Sequence, residues 1–406
     1  MVADQRKGAE ALLAAAGEVC ARKKISEARA RQVRWVAREY GRALEHPGHP
    51  LGVDAEVGEL FQRRAVEAYL DLAGRGELRV RQSVKKVSGD RSRKARLEVL
   101  NLLAEALGVC ADLPPQPDPA PKRTVSRRAR SLLRTSLQEA ADRTSLPGHI
   151  RMLAIGAVGT DTGARSGEHC ACRIDDLAPS LEEIRIVRRP QGWKETESYV
   201  ELIALSEVSR AALRRWLEER EVLLERVQGA ATALWVSLRP NHRGERVIPP
   251  GTPLEPRGLY RAWTRAVTEI NQMMAGEPSW APLPSRMEQV RRGVSPKASP
   301  APRQPDAERA AVLLDDVARC GRALAAVRRS GRAGTGEELR ARRACRTALR
   351  EAWAEGVEHA LQVAALAEAG VAGTEELTAA GWDPYLLKAV DRAAGWGRPS
   401  KAKDVV

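Results

Sequence analysis

The sequence predicts a mainly α-helical chain with one small β-hairpin or sheet. Three observations lead to this. Apolar residues recur at three- and four-residue spacing over most of the chain. Two short runs, "EIRIVR" (183–188) and "SYVELIAL" (198–205), alternate in polarity and are rich in β-branched residues. Two proline-dense stretches, 113–122 and 295–306, cannot continue a helix and favour extended spacers. They divide the chain into a helical domain over 1–112, a second domain over 123–294, and a helical C-terminal region over 307–406.

The first block reads as helices throughout. Residues 26–43 carry Val33, Val36, Ala37 and Tyr40 on one face, with Ser26 as N-cap. Residues 57–73 form a second amphipathic helix with Leu60, Phe61, Val66, Tyr69 and Leu70 inward. Residues 78–88 bring Lys85 and Lys86, and 92–107 form a third strong helix with a Leu97, Leu100, Leu103, Leu107 stripe. Arg91, Arg93 and Lys94 crowd its start. Cations there oppose the helix dipole, which makes sense if a phosphate approaches. A solvated basic face is the plainer alternative.

The second block opens on a basic helix, 125–141, holding Arg127 and Arg128. The next helix, 149–160, is apolar on nearly every side and belongs at a domain centre. After "TDTGARSGEHCACRIDDL" come the two strands, joined by a turn over 189–197 that contains Lys194. A long helix over 206–226, a third short strand over 233–238 and a helix over 257–274 follow. Beyond the second proline stretch lie long helices over 307–329 and 337–369. The end of the chain resembles a helix-turn-helix, with Gly381 in the turn and Asp383–Pro384 opening the last helix.

Composition narrows the function. Of 406 residues, 43% are hydrophobic, enough for real cores, and 67 Lys plus Arg face 53 Asp plus Glu, a formal charge of +14. A polyanion such as nucleic acid is the simplest partner. An Ala- and Arg-rich composition without functional meaning is the alternative. No apolar run reaches the ~18–20 residues that span a bilayer, so the reading is a cytoplasmic, nucleoid-associated protein with no membrane partner. Cys170 and Cys172 form a C-x-C beside His169, without a second pair at zinc-site spacing. They read as small buried thiols, with no metal and no cofactor.

In the second block the residues resemble the catalytic domain of the tyrosine recombinase (phage integrase) family. "TDTGARSGEHCACRIDDL" is similar to that family's first arginine box, T-G-x-R-x-x-E with a following Asp, through Thr162, Gly163, Arg165, Glu168, Asp175 and Leu177. The resemblance covers roughly 125–275, and the first block resembles the family's core-binding domain. It implies a clamp role for Arg165 on a phosphate oxygen, with Glu168 positioning it and Lys194 donating a proton to the leaving oxygen. Arginine suits the clamp because it stays charged and offers a fork of donors. Singly, Arg165 and Glu168 also read as an ordinary surface pair, and Lys194 as an exposed turn lysine.

The second half of the pattern is incomplete. Arg286 is the candidate second clamp, with Arg291 and Arg292 behind it, but Leu283 stands where the family has a His. No tyrosine follows Arg286 closely. Tyr385 is far downstream and an unlikely nucleophile, and nothing activates Ser295 or Ser299. The reading is a double-stranded-DNA-binding protein of recombinase architecture, short of full strand-exchange activity, that self-associates or works with a partner recombinase. Lys388 is a further DNA-contact candidate. The alternatives are an active recombinase with a diverged second box, and a basic helical scaffold for protein partners.

Overall fold

A computed structural model of the chain describes residues 7–22, 25–80, 87, 89–118, 124–189, 197–225, 232–243, 246–278, 280–292, 294–302 and 305–393. They form two compact units, the first within Met1–Lys122 and the second within Arg123–Arg189 and Ser198–Val406.

The first unit is all helical: α1 (Gly8–Arg22), α2 (Glu27–Leu44), α3 (Val57–Leu60), α4 (Arg63–Arg75) and α5 (Asp90–Leu107). Ser26 caps α2, its hydroxyl accepting the Arg29 N–H at 3.3 Å. Leu12, Val33, Val36, Tyr40, Phe61 and Leu100 meet in one core. A buried cation enters it: Arg96 forks onto Glu39 at 2.7 and 3.1 Å, and Tyr69 donates to the same carboxylate at 2.9 Å. The single helix expected over 57–73 is two helices. The chain turns at Phe61, which frees its carbonyl to accept the Asp112 N–H at 2.9 Å.

The second unit is built around a buried helix. α6 (Arg127–Arg143) lies on α7 (Pro147–Thr162), every residue of which from His149 to Thr162 is buried. α8 (Ser166–Ala171) and a single 3-10 turn, Ile174–Asp176, lead into β1 (Glu183–Arg188) and β2 (Tyr199–Ala204). These strands pair antiparallel, with Ile184 opposite Ile203 and Arg188 opposite Tyr199. Ile184, Ile186 and Ile203 turn one face of the sheet to the main core. α9 (Glu207–Leu224) starts at a Ser206 cap and also packs on α7. A short hairpin, β3 (Asn241–Arg243) and β4 (Arg246–Ile248), precedes α10 (Pro256–Met273) and α11 (Met287–Arg291).

Two sequence expectations change here. The third strand expected over 233–238 is two isolated bridges, Ala233 with Arg173 and Val236 with Pro253. Its backbone is divided between neighbouring loops: the Leu234 N–H goes to the Cys172 carbonyl, and the Trp235 carbonyl accepts from Leu254. The third strand of the sheet is β5 (Ala298–Ala301), drawn from the stretch read as a linker, and the order is β1-β2-β5. Pro300 is tolerated because β5 is an edge strand.

α12 (Ala307–Arg329), α13 (Gly336–Ala354), α14 (His359–Glu368), α15 (Thr374–Ala380) and α16 (Pro384–Ala393) complete the fold. The helix expected over 337–369 breaks at Gly356, whose φ is +92°. These helices share the core of the second unit. Trp353 also covers Leu202 on the other face of the sheet. Arg185 of β1 is buried and donates to the Trp353, Ala354 and Pro302 carbonyls at 3.0, 2.8 and 2.7 Å. Among the described residues, no helix is long and apolar enough to cross a membrane.

Candidate nucleic-acid interface

The Arg165 segment is placed by the end of α7. The Thr162 hydroxyl donates to the Val158 carbonyl at 2.7 Å and accepts the Ala164 N–H at 3.2 Å. Gly163 takes the left-handed conformation at φ +60°, which ends the helix and turns the chain back. Arg165 then stands as the N-cap residue of α8.

Glu168 is the hub. Its side chain is 3% exposed and accepts from four donors. These are the Arg165 N–H at 2.8 Å, Arg165 Nη1 at 3.1 Å, Arg188 Nη1 at 3.2 Å and the Arg189 N–H at 3.2 Å. Burial works to raise the carboxyl, but the two backbone N–H groups and the two cations overcome it and hold it below the ordinary carboxylate range. The pair read from spacing alone as a possible surface contact is therefore a buried one on the acid side. Arg165 Nη1 also donates to the Arg189 carbonyl at 2.7 Å, while its Nε is buried with no partner among the described residues. The side chain is 33% exposed, so the guanidinium reaches solvent with hydrogen-bonding capacity left over.

Arg188 completes the cluster and is absent from the sequence-derived set. Its Nε binds Glu201 at 2.6 Å and its Nη2 the Thr162 carbonyl at 2.6 Å. A signal was available, since alternation puts Arg188 on the core-facing side of its strand with Ile184 and Ile186. Tyr199 lies opposite Arg188 on that same face and is 48% exposed. Asp161 is a second omission. One oxygen accepts the Ser206 N–H and hydroxyl, both at 2.8 Å, and the Ser209 hydroxyl at 2.6 Å. The other takes Arg134 at 2.8 Å, so Asp161 ties the start of α9 to α6.

The chain after α11 lies against the Gly163 turn. A Cβ on Gly163 would stand 3.1 Å from the Val294 Cβ and 3.4 Å from the Arg291 carbonyl oxygen, and α11 packs on α7. Arg291 and Arg292 share Glu288, at 2.7 and 3.5 Å. Arg286 is exposed at the start of α11, and no described hydrogen bond joins it to Arg165. Leu283 is buried, its backbone held at both ends by the Asn271 amide, so no titratable group stands there.

His169 is wholly buried beneath the box, both ring nitrogens without a described partner, and burial lowers its pKa to about 4. Burial pushes the Cys170 thiol up to about 12 and the Cys172 thiol well above its ordinary value, so both stay protonated. Among the described residues no group of three or more His, Cys, Asp or Glu is arranged to hold a metal.

The remaining candidates are scattered. Lys194, Lys85 and Lys86 lie outside the described residues, as do the side chains of Arg127 and Arg128, whose backbone starts α6. In the first unit, Arg93 faces Asp71 at 3.9 Å, and the cleft of about 320 Å³ at the start of α5 is lined by Arg75, Arg93 and Arg96. Arg91 is exposed and Lys94 half-buried. Tyr385 is half-buried on α16, which packs on α9 and the 3-10 turn. The exposed stripe of α16 is Pro384, Lys388 and Asp391, and Arg392 is held by Glu221 at 2.5 Å.

A larger basic face lies on α10. Arg257, Arg261 and Arg265 recur every four residues, all exposed and without an ion pair to a described carboxylate. Tyr260, 55% exposed, Thr264 and Thr268 form a parallel stripe beside them. The arginines edge a groove of about 650 Å³ that also reaches Arg151 and Arg239. The R-x-x-x-R-x-x-x-R period is visible in the sequence.

The chain's neighbours among solved structures are tyrosine recombinases and integrases. The Tn1549 transposon integrase in complex with a circular intermediate DNA matches at 15% identity and TM-score 0.43, covering 69% of this chain and 84% of that chain. XerH site-specific recombinase bound to difH substrate matches at 12% identity and TM-score 0.43, covering 71% and 85%. XerA recombinase matches at 17% identity and TM-score 0.28, covering 69% and 81%. No protein-family model and no curated protein matches the sequence.

Proposed function

We propose that this chain is a double-stranded-DNA-binding protein of tyrosine-recombinase architecture that lacks a complete strand-exchange site. It acts as an accessory or regulator, by self-association or beside a catalytically complete partner recombinase. The observation that carries this reading is the Arg165–Glu168–Arg188 cluster, with Val294 and the Arg291 carbonyl packed on Gly163. A buried carboxylate fixes two arginines, and one of them keeps donors turned to solvent, which suits a phosphate oxygen. The arginine row of α10 and the net charge of +14 support duplex DNA as the polyanion. Arg286 in the second unit and, separately, Arg91, Arg93 and Lys94 in the first are proposed DNA contacts. The missing chemistry is supported by Leu283, buried at the position of the expected His, and by Tyr385, which sits on a helix packed elsewhere.

Binding to a duplex, followed by fluorescence anisotropy across a salt series, tests the reading. Replacing Arg257, Arg261 and Arg265 together by Ala should flatten the log K against log salt slope by about 3, near 0.9 per phosphate contact. Arg165→Ala should weaken binding further, and a nicked suicide duplex should trap no covalent adduct. Salt-insensitive binding, or none, would leave the scaffold alternative standing. One observation favours the active-recombinase alternative: Tyr199 is exposed on the sheet face that carries Arg188. A covalent adduct lost in Tyr199→Phe would establish it.

A further inference from the structure

The C-terminal helices carry a basic pole that the site above does not use. α12 and α13 pack together as a hairpin through a short connection over 330–335. Six arginines stand around it, Arg328, Arg329, Arg332, Arg340, Arg342 and Arg343, against two carboxylates, Glu337 and Glu338. Both carboxylates are already committed. Glu338 is 3% exposed and accepts Arg328 Nε at 3.0 Å, Arg342 Nη2 at 2.8 Å and the Gly334 N–H at 2.5 Å. It anchors the connection and fixes one arginine from each helix. Glu337 takes Arg332 at 2.5 Å.

Arg329, Arg340 and Arg343 are left exposed, with no ion pair to a described carboxylate. Arg340 and Arg343, three apart on α13, share a face, and Arg329 ends α12. Concentrating this much like charge is unfavourable unless a polyanion meets it. Apolar surface at the pole is sparse: Leu339, 56% exposed, is the one large hydrophobic residue exposed among 328–343. That argues against a protein partner, whose interface would need an apolar centre. Guanidinium forks fit phosphate oxygens in pairs.

We propose that the α12–α13 tip is a second contact for the phosphate backbone of duplex DNA, independent of base sequence and separate from the α10 face. The DNA-binding role of this region is thereby moved from α16, where Lys388 shares its exposed stripe with Asp391, to the hairpin tip. The proposal rests on the DNA-binding reading for the identity of the polyanion.

The test uses the full chain with Arg329, Arg340 and Arg343 all replaced by Ala, and a companion in which all three become Lys. On two random-sequence duplexes of equal length and different base composition, the Ala variant should lower the salt slope by about 2–3 and the affinity by roughly tenfold or more. The Lys variant should keep the slope. An unchanged slope in the Ala variant, while the α10 variant weakens, overturns the tip and leaves the α10 reading intact. An unchanged α10 variant with a weakened tip variant does the reverse. Loss of affinity at constant slope in the Ala variant, or loss of slope in both the Ala and Lys variants, also overturns the tip, since neither is the signature of phosphate contacts. Binding of an acidic polypeptide with unaltered DNA binding would reassign the pole to a protein.

Discussion

His169 sits under Glu168 with neither ring nitrogen bonded to a described group, and burial brings its pKa down from 6.5 to about 4, the Glu168 charge opposing and Arg188 assisting. The folded chain therefore keeps this imidazole neutral at a pH where the unfolded chain protonates it. Its contribution to stability is complete above about pH 6.5 and is lost as pH falls toward 4, by up to about 3 kcal/mol. Urea unfolding at several pH values between those limits should show the slope, and His169→Leu should flatten it. An unaltered profile in the variant would mean the acid sensitivity originates elsewhere. Glu168, whose carboxyl is also held low, begins to add its own loss as pH falls through the ordinary carboxylate value of 4.5. The spacing of Arg165 and Glu168 made their pairing legible in the sequence, because three residues bring them together within one helical turn. Arg188 and Asp161 were not legible as partners. Periodicity says which way a strand residue points, yet not which carboxylate from another element waits there.

Gly163 joins two elements through a backbone only glycine adopts at low cost. An alanine there meets the left-handed penalty of ~1–2 kcal/mol and sets a methyl 3.1 Å from Val294. Gly163→Ala should therefore lower stability by about 2 kcal/mol and loosen the 291–294 chain from Arg165, read as lost protection of those amides in hydrogen exchange. Equal protection would show that the Arg165 segment and the chain after α11 hold position without this contact. The order of buried helix, hairpin and long helix was readable from apolar period and β-branched content. The third strand was not. "ALWVSL" has the apolar, β-rich look of a strand but serves two loops, while "ASPA" with its proline pairs at the sheet edge. Strand partners are chosen by tertiary space at an edge, which local propensity does not encode. The split between α3 and α4 has the same origin: no glycine or proline marks it, and the acceptor it frees serves Asp112, fifty-odd residues on in the chain.

Proline density at 295–306 suggests that the last hundred residues are a separate extension, but the packing of the second unit argues otherwise. The β1-β2-β5 sheet is covered on one face by the α7 core and on the other by Trp353. Arg185, a buried cation, is satisfied by carbonyls that belong to the end of α13 and to Pro302. Trp353 Nε1 in turn donates to the Asp175 carbonyl at 3.0 Å, and His359 Nε2 lies 2.8 Å from that of Leu177. A chain ending at residue 306 would strip the apolar cover from Leu202 and leave the Arg185 guanidinium short of two acceptors, each loss costing on the order of 1–3 kcal/mol. Such a truncation should lower the melting temperature of the second unit by more than about 10 °C or abolish its cooperative transition, followed by near-UV circular dichroism of its tryptophans. Arg185→Met in the full chain provides the milder arm, since it removes the cation along with its need for acceptors, and should cost much less than the truncation. If the shortened chain instead melts as the full one does, the C-terminal helices are an appendage. The arginines at the α12–α13 tip would then be carried on a detachable module, rather than held at a fixed place by the same core that seats Arg165.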